Sequence, residues 1–390
     1  MRIPPLKIDY SLKECLCGLK GCISSFDTLS NVNIFDTGHI YYSNSGRTSL
    51  YLILKALNLK NGSRIGTPLY VCSSVFDAIN EAGYVPFFID ISLDTYTLDP
   101  LDLQSKINNI DALIVVHTFG HPAEMDKIIE IARGIPIIED CAHSLLSRYK
   151  KIQTGEMGDM SFFSFRSGKY ISAYEGGMIL VNNTEFLDKI NKEYSHLKNP
   201  SIYSEIKGPL LSYGKCILNN KLIFENITFP VISFLNKTKG KMVYKHTIKK
   251  EKIRKSDLII FLNKIKELPK NVSVQRANSK YLLQNITRLD IKTLKEKDWA
   301  YSNYFNFPVR FENYKKMKKA YTYFLKNGLN SFRVHHVSLQ IAKLRFNYVN
   351  NSCPNTEIAV NTVLIIPNYY TLTKKDLDII IYNLNSVSLE

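Results

Sequence analysis

The sequence predicts an α/β protein: a large, mostly parallel sheet with helices on both faces, followed by a smaller α+β domain. Three observations carry this. From Ser43 to Leu180 short apolar runs alternate with helical patterns, as in chains of βα units. Those runs are nearly continuous in apolar residues, as expected of parallel strands buried on both faces. With 390 residues, 45% apolar and 22% charged, the chain is long enough for two domains and a substantial core.

Residues 1–37 read as an N-terminal arm of little periodicity, and such arms often pack on a neighbouring subunit. Residues 38–250 form the large domain. Its first helix, SLYLILKAL, carries Leu50, Leu52, Ile53, Leu54 and Leu57 as a wide apolar face and is preceded by the small polar residues of an N-terminal signal. A strand at Ile65, a helix from Ser73 to Ala82, a strand from Pro86 to Ile91 and a helix from Leu101 to Ile107 follow. Next come a strand from Ala112 to Val116, a helix from Ala123 to Ala132 and a strand from Pro136 to Glu139. Two further strands, Phe162 to Phe165 and Gly177 to Val181, flank a loop. No internal repeat is present.

A basic and apolar insertion occupies about 197–255. Its apolar piece, LIFENITFPVISFL, precedes nine basic residues between Lys237 and Lys255, against the single acid Glu251. Two readings stand: contact with an anionic membrane through 222–255, or a helical excursion packed on the large domain. Residues 256–390 make the small domain. DLIIFLNKIKEL and a helix around Asn278 to Ile286 lead to the strand pattern YFNFPVRF, then to a helix ending at Gly328 and the closing helix KKDLDIIIYNL. Arg333, His335 and His336 read as structural or solvent residues.

The net charge of +16 suits nucleic acid, an anionic membrane or a nucleotide diphosphate, and equally a basic surface with no specific partner. Seven scattered cysteines, an odd number, are no disulfide framework and point to a reducing cytoplasm. Cys15, Cys17 and Cys22 lack CxxC spacing and a nearby histidine, so no metal is expected. No run approaches the roughly 20 apolar residues of a membrane span, and the amino terminus lacks a signal-peptide core.

The chemistry concentrates in FFSFRSGKYISAYEGG, where Lys169 stands among small, hydroxyl-bearing and aromatic residues. Apolar walls lower the pKa of an amine, which suits a Schiff-base nucleophile; a lysine on a surface turn between two strands is the alternative. In IPIIEDCAHSLLS a buried strand ends in Glu139 and Asp140, with His143 beyond. A carboxylate there lies at the mouth of an open α/β sheet, or caps the following helix. Pyridoxal 5′-phosphate requires both a lysine and a carboxylate beside its pyridine nitrogen. A third part, Ser43 to Thr48 at a helix start, offers amides and a positive dipole end to a phosphate, with Ser164 as a second side of the grip.

The ordered blocks SGRTSLYLILKAL, TPLYVCSSVFDAI, FFIDISLDTYTLDP, HTFGHPAEMD, IIEDCAHSLLSRYK, GDMSFFSFRSGK and EGGMILVNN resemble the DegT/DnrJ/EryC1/StrS family of sugar aminotransferases. The resemblance is close over about 38–183 and looser near the chain end. It implies the fold-type-I pyridoxal phosphate transferase architecture and a homodimer. It makes Lys169 the Schiff-base lysine that also moves the proton between sugar carbon and cofactor, and Asp140 the partner of the pyridinium nitrogen. His143 takes the family's Gln or His position at the cofactor ring. Ser164, Gly46 and the amides of Arg47 and Thr48 bind the phosphate. Cys72 stands where the family often stacks an aromatic ring. If IRKSDL aligns with the end of the family's Gly-x-Asn-x-Arg motif, Arg254 is its arginine, which reaches the phosphate across the dimer interface, while Lys250 and Lys252 replace glycine and asparagine.

The function so implied is transfer of an amino group from glutamate or glutamine to a nucleotide-linked keto sugar for surface polysaccharide or amino-sugar biosynthesis, with no nucleic-acid partner. Relatives that dehydrate sugars carry histidine at the lysine position; this chain keeps lysine. Sugar dehydration, other pyridoxal phosphate chemistry, or a non-catalytic membrane- or partner-binding relative are the alternatives.

Overall fold

The computed structural model describes residues 2–22, 34–35, 38–238 and 246–389, without side-chain detail for 236–238. In chain order, β1 (His39–Ser43), β2 (Arg64–Pro68), β3 (Val85–Ile89), β4 (Ala112–Val116) and β5 (Ile137–Asp140) are followed by the short pair β6 (Arg148–Tyr149) and β7 (Ile152–Gln153) and by β8 (Met160–Ser164) and β9 (Gly177–Val181). Seven of them form one sheet in the order β1-β9-β8-β5-β4-β2-β3. From β3 to β8 all pairs are parallel. Parallel neighbours require crossovers, and helices α3 (Ser74–Glu81), α4 (Pro100–Lys106) and α5 (Met125–Ile131) supply three of them. The β8–β9 link is only the loop 165–176, so β9 folds back antiparallel.

Strand side chains alternate between two helical layers. Ile114, Ile138 and Phe162 face α2 (Gly46–Leu57) and α3, while Leu113, Val115 and Ile137 face α4 and α5. Val116, Asp140 and Ser164 therefore end at the same carboxyl edge, beside the N-terminus of α2. The expected Phe162–Phe165 strand lies at Met160–Ser164, because buried Met160 extends it backwards, and this puts Ser164 at its end.

Within the arm, α1 (Leu12–Gly21) packs on two later helices of the same chain, α7 (Ile202–Asn219) and α10 (Lys255–Ile265), and Ile3 bridges Leu329. The buried face of α1 consists of Cys15, Gly18 and Gly21, small residues that give little hydrophobic periodicity. After α6 (Leu187–Ser195), the insertion is helical: α7 (Ile202–Asn219), α8 (Lys221–Ile223), a π-helical turn Phe224–Thr228 and α9 (Phe229–Thr238). Lys239, Lys241 and Lys245 of the basic run lie outside the described residues. Helices α10 (Lys255–Ile265) and α11 (Leu268–Asn285) lead to a three-stranded sheet of Lys292–Thr293, Phe307–Arg310 and Val363–Ile366, cored by Phe307, Val309, Phe324 and Leu364. Around it stand α12 (Tyr314–Lys326), α14 (Pro354–Thr362) and α15 (Lys374–Ser386), while α13 (His336–Arg345) sends Ile341 and Ala342 into the core beneath α2 and α3.

Candidate active site

At the carboxyl edge of the sheet a cleft of about 920 Å³ is lined by Gly46, Arg47, Cys72, Asp140, His143, Ser164 and Lys169, joined by His117, Arg166, Glu175, His246 and His335. Ligands of open α/β sheets bind at this edge.

Lys169 is no surface turn residue. The loop before it turns through Gly168, whose φ of +87° favours glycine. The Lys169 N–H donates to Arg166 O (2.9 Å), and Ser172 Oγ ties both sides, accepting from Gly168 N–H (3.0 Å) and donating to Lys169 O (3.1 Å). Its ammonium lies 5.3 Å from the Phe305 ring centroid. Burial, then the Arg166 charge, push the amine down to about 8, against the pull of Asp140 and Cys72.

Asp140 ends β5, and its Oδ1 accepts the Ala142 N–H (3.0 Å), so the carboxylate serves the local turn and also faces the cleft. Burial raises its pKa, opposed by the Ala142 amide, Lys169 and His117. Such a carboxylate gains most from a cation placed against it. Its neighbour Glu139 points the other way, fully buried. It accepts His117 Nε2–H (2.8 Å) and the amides of Gly155 (2.8 Å), Met157 (2.7 Å) and Gly158 (2.6 Å). Burial alone would raise its pKa, but these bonds win and hold it low. Because His117 Nδ1 accepts the Ala123 N–H (3.0 Å), its proton sits on Nε2. His117, Glu139 and Cys141 lie close enough to suggest a metal site, but this saturated network accounts for the first two.

The anion end is built on α2. Ser45 caps it, accepting Thr48 N–H (3.3 Å), and the Thr48 hydroxyl donates to Asn44 Oδ1 (2.6 Å) and also reaches Lys249 O (2.9 Å). Thr48 is thus engaged in the cap and does not line the cleft, whereas Gly46 and Arg47 do. A Cβ on Gly46 would stand 3.0 Å from Ser164 Cβ and 3.2 Å from Phe163 O, so glycine is what lets the helix end close on Ser164. Within this chain Arg254 is not in the cleft either. Its Nε donates to Asp257 (2.7 Å) and its Nη2 to Glu175 (3.3 Å), so it braces a cleft residue.

Of the wall residues, Asn303, Phe305 and His335 went unrecognised in the sequence. His143 stacks on Phe305 with centroids 4.6 Å apart, and burial, then the charges of Lys169, His335 and Arg166, keep it neutral. Asn303 binds that wall together, donating to the His143 and Leu145 carbonyls (2.9 Å each) and accepting the Tyr170 hydroxyl at its own carbonyl (2.6 Å). His335 reaches the cleft from a left-handed backbone (φ 55°), edge-on to Tyr70 at 4.9 Å; burial and Lys169 push its pKa down to about 3. Single histidines and an Asn-x-Phe more than a hundred residues from the lysine leave no local pattern to read.

The model of the DegT/DnrJ/EryC1/StrS aminotransferase family matches residues 33–385. The chain belongs to that family. Among its relatives, GDP-perosamine synthase of Escherichia coli O157:H7 is 34% identical over 160 residues, 40% of this chain and 44% of that protein. The UDP-4-amino-4,6-dideoxy-N-acetyl-beta-L-altrosamine transaminase of Campylobacter jejuni is 36% identical over 164 residues, 40% and 43% of the two chains. These matches span less than half the length of the curated relatives. Whole-chain similarity appears in solved folds. GDP-4-keto-6-deoxymannose-3-dehydratase (ColD) superposes with TM-score 0.76 at 20% identity, covering 98% of this chain and all 100% of its own. Spr1654 of Streptococcus pneumoniae, known in PLP and PMP forms, superposes with TM-score 0.77 at 18% identity, covering 99% and 98%. Pyridoxal 5′-phosphate is the family's cofactor, and the cleft fits it: a lysine of lowered pKa, a buried carboxylate, a flat histidine, and an anion cradle that a Cβ on Gly46 would crowd.

Proposed function

We propose that the protein is a pyridoxal 5′-phosphate-dependent aminotransferase that moves an amino group from glutamate or glutamine to a nucleotide-linked keto sugar, acting as a homodimer. The observation that carries this is the convergence on one cleft of the Lys169 amine, its pKa lowered to about 8, and the buried Asp140. When bound, the cofactor supplies an aldehyde for amine capture and an electron-withdrawing ring. Lys169 would hold it and, once free, would take and return the proton at the reacting carbon. Asp140 would hold a proton on the ring nitrogen, and His143, kept neutral, would line the ring's side of the cleft without competing for that proton. Gly46, Arg47 and Ser164 orient the phosphate, with Arg166 and His246 nearby. Cys72 replaces an aromatic ring at its wall, and Arg254 serves the partner subunit's phosphate only if its contacts to Asp257 and Glu175 are exchanged on dimerisation.

The names of the two curated relatives support a nucleotide-linked sugar as acceptor. The test is incubation with a nucleotide-linked keto sugar and glutamate, with products resolved by mass spectrometry. An amino sugar and 2-oxoglutarate support the proposal. A deoxygenated product retaining the ketone would instead support the dehydratase reading, which the ColD-like fold keeps as the second choice.

A further inference from the structure

Helix α7 is inside out. Amphipathic helices on globular proteins turn their apolar stripe to the core. Here the buried positions are Glu205, Gly208, Pro209 and Ser212, while Ile202, Tyr203 and Leu210 are 74%, 70% and 52% exposed. The orientation is fixed by specific contacts. Glu205 accepts the Lys255 and Ser256 amides (2.9 and 3.0 Å) and the Ser256 hydroxyl (2.9 Å), holding the first turn of α10. A Cβ on Gly18 would come within 2.8 Å of Pro209 Cγ, so α1 and α7 already touch. Rotating the stripe inward would break both.

The exposure continues along the hairpin, with Leu222 at 64%, Ile227 at 55% and Phe234 at 67%. Among the described residues, thirteen of the large apolar side chains that are exposed fall between 202 and 235. With about half of each side chain exposed, this sums to on the order of 1,000 Å² of apolar surface, against contiguous patches of about 300–600 Å² on a typical monomer. Between 202 and 235 the cations are Lys207, Lys215 and Lys221, the last paired with Asp376, against Glu225 and the buried Glu205. Lys207 stands within the stripe, its ammonium 5.4 Å from the Tyr203 ring centroid, where a lysine stem can lie on an apolar surface with its charge at the boundary.

We infer that the α7–α9 face seats the protein on an anionic phospholipid surface, its apolar side chains in the acyl boundary and its cations at the headgroups. A second copy is the poorer occupant, because a two-fold contact through this stripe would bring the like-charged lysines of the two copies together. Neither is the segment a span: no described helix is long and apolar enough to cross a membrane. The test is flotation of the full, cofactor-loaded chain with phosphatidylglycerol vesicles and, separately, phosphatidylcholine vesicles, at low and high salt. Wild type binds the anionic vesicles at least about tenfold tighter, and salt weakens it. The double variant Leu210→Asp/Phe234→Asp, and Tyr203→Asp alone, lose at least about tenfold of that binding with unchanged melting temperature and sedimentation. Two results would overturn the inference: wild type that ignores anionic vesicles, or folded variants that still bind them while losing self-association, which would make this face an interface between copies.

Discussion

At Lys169, burial outweighs the attraction of Asp140 and leaves the amine near a pKa of about 8. Only the neutral amine attacks an aldehyde, so about a tenth of it is reactive at pH 7, several hundredfold more than for an unperturbed lysine. Capture of pyridoxal phosphate by the apoprotein, followed by stopped-flow absorbance, should accelerate about tenfold per pH unit below pH 8 and level off above it. The linkage sign follows: because the folded pKa lies below the unfolded one, the buried ammonium costs stability that is fully felt below about pH 8 and vanishes above the unfolded value. Asp140→Asn keeps the shape and the turn but removes the charge. It should leave folding intact and lower turnover by about 10²-fold or more, measured as kcat with the cofactor saturating. Lys169 and Asp140 were legible in the sequence because each sits where a strand pattern stops, and the chemistry needs one amine and one carboxylate there. Thr48 sits at the same helix start, where a capping serine three residues earlier takes its amide.

Among the elements, the parallel strands were readable because burial on both faces makes them continuously apolar. Helices α1 and α7 were not, since what they bury is small or polar. Two substitutions test how elements build the site. Gly46→Ala should raise the Kd for pyridoxal phosphate by about tenfold, read by fluorescence titration, because overpacking against Ser164 costs about 1–3 kcal/mol. Glu205→Ala leaves three donors at the start of α10 without their acceptor, and should destabilise the fold by about 1–3 kcal/mol in chemical denaturation.

Across the whole molecule, the cleft is closed by parts far apart in sequence. The Asn303–Phe305 turn reaches over from the small domain to hold the His143 carbonyl and the Tyr170 hydroxyl, and His335 arrives from the start of α13. No periodicity announces such contacts, because they follow from how two domains meet. Phe305→Ala should therefore reduce kcat about tenfold or more while leaving the melting temperature within a few degrees, since the ring supports His143 and Lys169 at the site's wall.

On the proposed function, Lys169 and its cleft carry out an amino-group half-reaction. The most direct measurement is the absorption spectrum of the purified protein with pyridoxal phosphate, wild type beside Lys169→Ala, before and after glutamate or glutamine. Visible absorbance of the lysine-bound cofactor is expected in wild type alone, moving to the shorter-wavelength amine form with the donor. Wild type that shows no such absorbance, or holds it unchanged with either donor, would contradict the proposed function.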